Sequence, residues 1–272
     1  MSLVPAVPAA RPPSVLSGVA TAEPAVAVRG VTKRFGRGPV ILDDVSLDVA
    51  PGEFLCLLGA SGCGKSTLLN MVAGLDKPTQ GGVEVAGSRP ALMFQEPALF
   101  PWLTAAQNIE LALRLRGVGK SARRVEAQRL LELVRLDGSG GKRPHELSGG
   151  MRQRVALARA LAQDSNVLLM DEPFAALDAI TRDMLHDELL RVWQEVGVTV
   201  VFVTHNVREA CRLAQRVVLL SSRPGRVASE YAIDIPQPRR IESPEVAEMS
   251  IRITDDLSVE IRKHATVRKE AS

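Results

Sequence analysis

Nine residues constrain this chain more than any other stretch: Gly59-Ala60-Ser61-Gly62-Cys63-Gly64-Lys65-Ser66-Thr67. They follow the apolar run Phe54 to Leu58, which reads as a strand, and they open a helical pattern from Thr67 to Ala73. Glycines at 59, 62 and 64 let the backbone turn its N–H groups inward, and the helix N-terminus adds the positive end of its dipole. A loop of this kind wraps phosphate. Lys65 is placed to hold terminal phosphates as a point charge, and Ser66 offers the hard hydroxyl oxygen that Mg²⁺ takes. Thr67 stands beside it, near the inner phosphates.

The remaining chain supplies a sheet for that loop. Ala25 to Val28 and Val45 to Val49 read as strands between Gly and Pro turns, and strand patterns return at Ala91 to Phe94, Val167 to Met170, Val198 to Val203 and Val217 to Leu220. Helical patterns over Ala179 to Val196 and Asn206 to Ala214 alternate with the later strands. Short buried strands separated by helices argue for a parallel sheet. Between Thr104 and about Leu136, Leu111, Leu115, Val125, Leu130, Leu131 and Val134 recur at helical spacings, which predicts an all-helical insert. Pro224, Pro236 and Pro238 break the chain before a charged helical run from Pro244 to about Lys263.

Composition narrows the functions available. The 34 Lys and Arg against 31 Asp and Glu leave a net charge of only +3, too even to imply a nucleic-acid surface, and no nucleic acid is expected as a partner. Apolar runs such as Val198 to Val203 fall far short of the roughly 20 residues of a membrane helix. Cys56, Cys63 and Cys211 are scattered and odd in number, which fits a reducing compartment rather than a disulfide framework or a zinc site. Met1 to Glu23 is rich in Pro and Ala and lacks the basic start and unbroken apolar core of a secretory signal.

A second chemical site follows the run Val167 to Met170, which ends abruptly in Asp171-Glu172-Pro173. The C-terminal edge of a parallel sheet is where ligands bind. Asp171 is suited to reach Mg²⁺ directly or through water, and Glu172, one residue on, can polarise the water that attacks a γ-phosphate. A third feature is Leu147-Ser148-Gly149-Gly150-Met151-Arg152-Gln153-Arg154, continuing through Val155-Ala156-Leu157-Ala158-Arg159-Ala160-Leu161. Ser148 reads as a helix N-cap, and the two glycines expose N–H groups at a second dipole end, a second place for an anion.

This last stretch resembles the signature motif of ABC ATPases. The resemblance covers about Val26 to Ile261 and implies an α/β fold: a P-loop nucleotide hydrolase core with a mostly parallel sheet, an N-terminal antiparallel β subdomain and an inserted α-helical subdomain. It implies a head-to-tail homodimer in which each ATP lies between one subunit's Gly59 to Thr67 and the other's Leu147, Ser148, Gly149, Gly150 and Met151. Gln95 resembles the Q-loop glutamine that touches Mg²⁺ or the lytic water, so that Ser66, Gln95 and Asp171 form the implied metal set. Glu172, His205 and Gln95 form the implied catalytic set, His205 resembling the switch histidine that contacts the γ-phosphate. Asp178, in Ala175-Ala176-Leu177-Asp178, resembles the D-loop aspartate that couples the two sites of the dimer. Phe35, in Lys33-Arg34-Phe35-Gly36, stands where the family stacks an aromatic ring, more often Tyr, on adenine; a plain core Phe is the alternative.

Met151 departs from the usual Gln but is familiar in the branch importing nitrate, sulfonates and taurine. That branch is also resembled by Leu99-Phe100-Pro101-Trp102-Leu103-Thr104, by Ser222-Arg223-Pro224-Gly225-Arg226 and by the tail near Ser243-Pro244. The expected organisation is a disordered Pro/Ala-rich tail over 1–24, an ABC ATPase domain over 25–235 with its helical insert at about 97–162, and a C-terminal helical tail over 236–272. The expected function is ATP hydrolysis that energises an importer of nitrate, sulfonate, taurine or a similar small anion. Import of another solute and a soluble ABC ATPase are the alternatives. The implied partners are a second ATPase subunit, two transmembrane permease subunits and, indirectly, a solute-binding protein, with the chain peripheral on the cytoplasmic face of the membrane. Leu99 to Leu103 is expected to receive a membrane subunit, or else to cap the insert's own core. Bulk added to Cys63 is expected to fill phosphate space, with Cys56 and Cys211 buried.

Overall fold

A computed structural model describes residues 23–270. In chain order the elements begin β1 (Val26–Arg34), β2 (Val40–Val49), β3 (Phe54–Gly59), α1 (Lys65–Val72), β4 (Gln80–Val85) and β5 (Ala91–Met93). Then come α2 (Ala105–Leu115), α3 (Lys120–Leu133), α4 (Gly149–Leu161), β6 (Val167–Asp171), α5 (Ala179–Val196) and β7 (Thr199–Thr204). The chain continues through α6 (Val207–Leu213), β8 (Arg216–Leu220), β9 (Val227–Ala232) and α7 (Pro244–Glu270). The expected tail over 1–24 lies outside the described residues except for Glu23 and Pro24, as do the last two residues of the expected 236–272 segment.

The central sheet runs β5-β6-β7-β3-β8-β9, parallel throughout except that β9 returns antiparallel on β8. Every residue of β3 and β7 is buried, as in strands covered on both faces. Alternation along the strands then feeds two cores. Phe54, Cys56 and Leu58 of β3, with Met170 of β6 and Phe202 of β7, join Ile109 of α2, Leu131 of α3, Val155 of α4 and Leu189 of α5. Phe54 meets Trp193 edge-on at 5.6 Å and Phe202 at 6.0 Å. On the other face Leu55 and Leu57, with Leu169 and Val203, join Leu68 and Leu69 of α1 and Val28, Val31 and Leu47 of the small sheet. Each such side chain contributes about 1.5–3 kcal/mol by leaving water.

The small sheet, β2-β1-β4, is antiparallel. Here the strand boundaries differ from the sequence reading. β1 continues from Val28 to Arg34 across an irregularity at Gly30 (φ +56°), and β2 starts at Val40 rather than Val45. β4 and β9 were not expected at all; β4 carries two glycines, and β9 is an edge strand with alternate residues half-exposed. The predicted helical stretch from Thr104 divides into α2 and α3, with Gly117 (φ +83°) and Gly119 in the connection, and α1 starts at Lys65 rather than Thr67. α7 packs on α6 through buried Val246 and Ile253. Buried Arg239 donates to the carbonyls of Cys211 and Ala214 at the end of α6, and to Ile233 and Ile235; burial draws its pKa down to about 10.

The connection between β8 and β9 fastens the two sheets around the phosphate loop. Gly225 N–H donates to Ile41 O at 2.8 Å and its carbonyl accepts from Asp43 N at 3.0 Å, so this loop adds a rung to β2. Arg226 pairs with Asp43, and Arg223 Nε donates to Gly62 O at 2.9 Å. Glycine is required at 225 by contact rather than by φ, because a Cβ there would lie 2.2 Å from Cys63 O and 2.9 Å from Leu42 Cδ2. Gly225→Ala should therefore shift the phosphate-loop backbone or β2 and cost about 1–3 kcal/mol of stability. Gly141→Ala, where nothing lies within 4 Å, should be close to neutral. Urea unfolding of both variants checks this; equal midpoints would show that the loop has room to give.

Candidate active site

The loop after β3 has the backbone its glycines foretell. Gly62 and Gly64 lie at φ +76° and +106°, and a Cβ on Gly64 would meet Leu42 Cδ2 at 2.6 Å. Lys65 is buried and its Nζ donates to Gly59 O at 2.8 Å and Ala60 O at 3.1 Å. Among the described residues no carboxylate forms an ion pair with it. A buried ammonium held only by backbone carbonyls is matched by an anion, and the phosphate chain of a nucleotide supplies one. Ala60 and Ser61 form the loop's crest, Ser61 exposed. Cys63 departs from expectation: its side chain is buried, with Sγ packed against Gly59, and burial raises its thiol pKa. Its N–H donates to Ala60 O at 3.3 Å and its side chain belongs to the core with Leu42 and Leu220, so bulk added to its sulfur would strike the core and not phosphate space. Cys56 and Cys211 are buried as expected.

Ser66 Oγ donates to Asp171 Oδ1 at 3.1 Å, joining the start of α1 to the end of β6. Burial pushes the Asp171 carboxyl above its ordinary value, opposed by the Ser66 hydroxyl and reinforced by the charge of Glu172. A desolvated carboxylate beside a hydroxyl suits a hard cation that borrows further oxygens from phosphate and water, as Mg²⁺ does. Glu172 sits at φ +46°, a left-handed conformation that costs a side-chain-bearing residue on the order of 1–3 kcal/mol. Its N–H donates to Val203 O at 3.0 Å, which holds the strained turn to β7. The turn brings Glu172 Oε2 within 2.9 Å of Nδ1 of exposed His205. A base and an imidazole in contact, beside a hydroxyl–carboxylate pair and a phosphate loop, can bind a nucleoside triphosphate and orient water against its end.

Gln95 lies two residues past β5, exposed, with its carbonyl accepting from Gln153 Nε2 at 2.9 Å. The loop that follows is strapped at both ends. Arg159 donates to Pro97 O and Ala98 O, and Asn108, fully buried, accepts from Phe100 N at 2.8 Å and donates to the carbonyls of Phe100, Leu103 and Thr104. The rings of Phe100 and Trp102 meet at 5.5 Å, tilted by 50°, and Trp102 is 67% exposed, so the alternative that Leu99 to Leu103 caps the insert's core fails for Trp102 and holds for Leu99, which packs against that core. The sequence reading missed Asn108, Gln153 and Arg159 as the straps. Asn108 carried a signal, a polar residue among the apolar positions of an amphipathic helix.

Ser148 caps α4 by accepting from Met151 N at 3.2 Å, and Leu147 is buried beneath it. Gly149 and Gly150 leave room for Leu177 and Thr181, to which added Cβ atoms would approach within 3.1 and 2.7 Å. Asp178 caps α5 by accepting from Thr181 N at 2.9 Å, and that bond holds its exposed carboxyl below the usual range. The exposed caps Ser148 and Asp178 thus stand at two helix starts that touch through Gly150 and Thr181. Among the described residues no hydrogen bond joins 147–151 to the phosphate loop. Phe35 is 55% exposed with Lys33 Nζ 4.7 Å above its ring, which corrects the core alternative for it as well.

Comparison with known proteins agrees with this geometry. The family model described as ABC transporter matches residues 42–175. An ABC transporter ATP-binding protein of Methanocaldococcus jannaschii is 45% identical over 87% of this chain and 92% of its own. The taurine import ATP-binding protein TauB of Burkholderia pseudomallei is 50% identical over 71% and 77%, and the nitrate import ATP-binding protein NrtD of Synechocystis 46% identical over 74% and 78%. Among solved structures, a dimeric ATP-binding cassette in a post-hydrolysis state with ADP and Pi is 34% identical, superposing with a TM-score of 0.67 over 78% of this chain and all of the other. An α/β core of this topology, carrying a phosphate loop and an acidic strand end, and related at this level to such proteins, places the chain in the ABC transporter family as an ATP-hydrolysing subunit.

Proposed function

We propose that this subunit drives an importer of taurine, nitrate, a sulfonate or a similar small anion, working as a homodimer beneath two permease subunits fed by a solute-binding protein. The relatives named for taurine and nitrate import support the solute class. The dimeric cassette supports the pairing of two ATPase subunits. No helix of the described residues is long and apolar enough to cross a membrane, so the chain would sit peripherally, on the cytoplasmic face, docked to the permease. In this reading 25–235 is the ATPase unit, 97–162 its helical insert and 236–272 an appended tail.

The observation that carries the catalytic reading is the contact of Glu172 with His205 beside Ser66 and Asp171. Gly59 to Thr67 would wrap the phosphates, Lys65 exchanging its two carbonyl acceptors for phosphate oxygens. Ser66, Asp171 and Gln95 would hold Mg²⁺, which supplies charge neutralisation at the phosphates when bound. Glu172 would take the proton of the attacking water, and His205 would hold that carboxylate and face the γ-phosphate. Phe35 would stack on the base. Leu147 to Met151 of one subunit would close on the nucleotide of the other, with Asp178 at the seam. Trp102 and Phe100 would receive the permease, on a loop whose other end is Gln95.

Two experiments test these assignments. Glu172→Gln keeps shape and removes the base; it should bind ATP at wild-type affinity, turn over at least about a hundredfold more slowly, and accumulate as a nucleotide-bound dimer on gel filtration. Near-normal phosphate release by this variant would falsify the assignment of the base. Trp102→Glu alters an exposed side chain and should leave melting temperature and the isolated subunit's ATPase rate unchanged, while abolishing co-purification with the permease subunits. Assembly and transport surviving intact would place the docking surface elsewhere.

A further inference from the structure

The active-site turn is tied to a buried polar pair that the proposed chemistry does not use. β7 ends at Thr204, and Thr204 Oγ1 accepts from Asn206 N at 3.0 Å, closing the turn that carries His205. The same hydroxyl donates to Glu209 Oε2 on the first turn of α6. Glu209 Oε1 lies 2.6 Å from Nε2 of His186, which is buried in the middle of α5 and packs edge-on against Phe174 at 5.6 Å. Asp178 caps that helix. A continuous set of hydrogen bonds thus runs from the His205 turn to the helix that begins at Asp178.

Helix packing alone gives this pair no purpose. Burying a carboxylate is unfavourable unless it is fully partnered, and an apolar pair would hold two helices as well. α5 and α6 are moreover already joined at their rim, where Arg212 donates to Asp183 and Asp187, both at 2.8 Å. What the interior pair adds is the Thr204 contact, which no apolar substitute could make. Glu209 also lines the small cleft beside Glu172 and His205. His186 must donate from Nε2 to the carboxylate, and its Nδ1 has no hydrogen-bond partner, the nearest carboxylate oxygen being Asp183 Oδ1 at 3.7 Å.

We propose that Glu209 and His186 are positioning residues for hydrolysis, setting the turn that presents His205 to Glu172 from the helix that starts at Asp178. This rests on the catalytic reading of Glu172 and His205 given above. It predicts that a change at the Asp178 end of α5 moves His205, so that the two share one mechanical element.

The test is steady-state ATPase and thermal melting on the purified full chain for Glu209→Ala, Glu209→Gln, His186→Gln, Asp187→Asn and His205→Ala. Glu209→Ala and His186→Gln should lower kcat about tenfold with KM for ATP changed less than about twofold, as expected when a group that orients a reacting residue is lost. Glu209→Gln should recover most of kcat, because its amide oxygen still accepts from Thr204 and its NH₂ can donate to Nε2 once the His186 proton moves to Nδ1. Asp187→Asn, which loosens the rim contact only, should lower the melting temperature and leave kcat unchanged. If Glu209→Ala does not fold, the ordering of His186→Gln below Glu209→Gln in kcat carries the same decision. Wild-type kcat in His186→Gln and Glu209→Ala, with His205→Ala inactive, would overturn the positioning role and leave the catalytic reading standing. A fall in kcat for Asp187→Asn matching that of Glu209→Ala would also overturn it, by assigning the effect to helix packing. Full turnover in His205→Ala would remove both.

Discussion

Backbone hydrogen bonds between β3, β6, β7 and β8 decide where everything else in the molecule goes. Their parallel register sets Leu58 beside Thr204, Asp171 beside Val203 and Gly59 beside Leu220, so four strands stop at one edge. The loops leaving that edge carry the phosphate-binding residues, the acidic pair, His205 and the Arg223–Gly225 clamp. Parallel strands leave such an edge free because their connections cross the sheet faces rather than close in hairpins. Complete burial of β3 and β7 makes a slip of register costly, since one residue of shift would exchange the side chains feeding the two cores. Precision at the site is therefore bought by cores that lie a layer away.

That edge concentrates strain and unsatisfied polarity, and both have local support. Glu172 holds a left-handed backbone through its N–H bond to Val203, and Gly64 a conformation closed to other residues by Leu42. Asp171 is partly desolvated with one hydroxyl for company, and Lys65 rests on two carbonyls. These groups have more capacity for charge than the protein satisfies by itself. A nucleotide with its cation would relieve both, which couples its binding to the stability of the edge.

Legibility followed burial. Strands covered on both faces, β3, β6 and β7, declare themselves as unbroken apolar runs, and the glycine loop between β3 and α1 is confined by chemistry to one meaning. β4 and β9 are half-exposed, and Gly81 and Gly82 in β4 conceal any alternation; Gly81 is there because a Cβ would lie 2.3 Å from Gly30 O on the neighbouring strand. That contact is long-range and leaves no trace in local periodicity. Cys63 was misread for a related reason. Its position in the loop is local, whereas the burial of its side chain depends on a core that includes Leu42 and Leu220, both distant in sequence. Ser148 and Asp178 were readable as caps, but the contact between their helix starts, in which Gly149 and Gly150 meet Leu177 and Thr181, depends on how α4 and α5 pack.

α4 links features that the sequence presents as separate. Its N-terminus carries the Ser148 cap; Gln153, one turn further, holds the Gln95 carbonyl; Arg159, near its end, holds Pro97 and Ala98. A helix of 13 residues held by interior packing is stiff on the scale of these contacts. The loop bearing Phe100 and Trp102 is strapped on its other side by Asn108 of α2. Displacement of that loop would then be carried into α4, and with it to the place where Gly149 meets Leu177 and Gly150 meets Thr181 of α5. If Ser148 meets the nucleotide of a second subunit, as proposed, then force applied at Trp102 reaches that nucleotide through one rigid body, and reaches the subunit's own nucleotide through Gln95. A docking surface placed on a freely moving loop could not do this, so under the proposed docking the buried Asn108 and the two straps from α4 would have a mechanical reason for their positions.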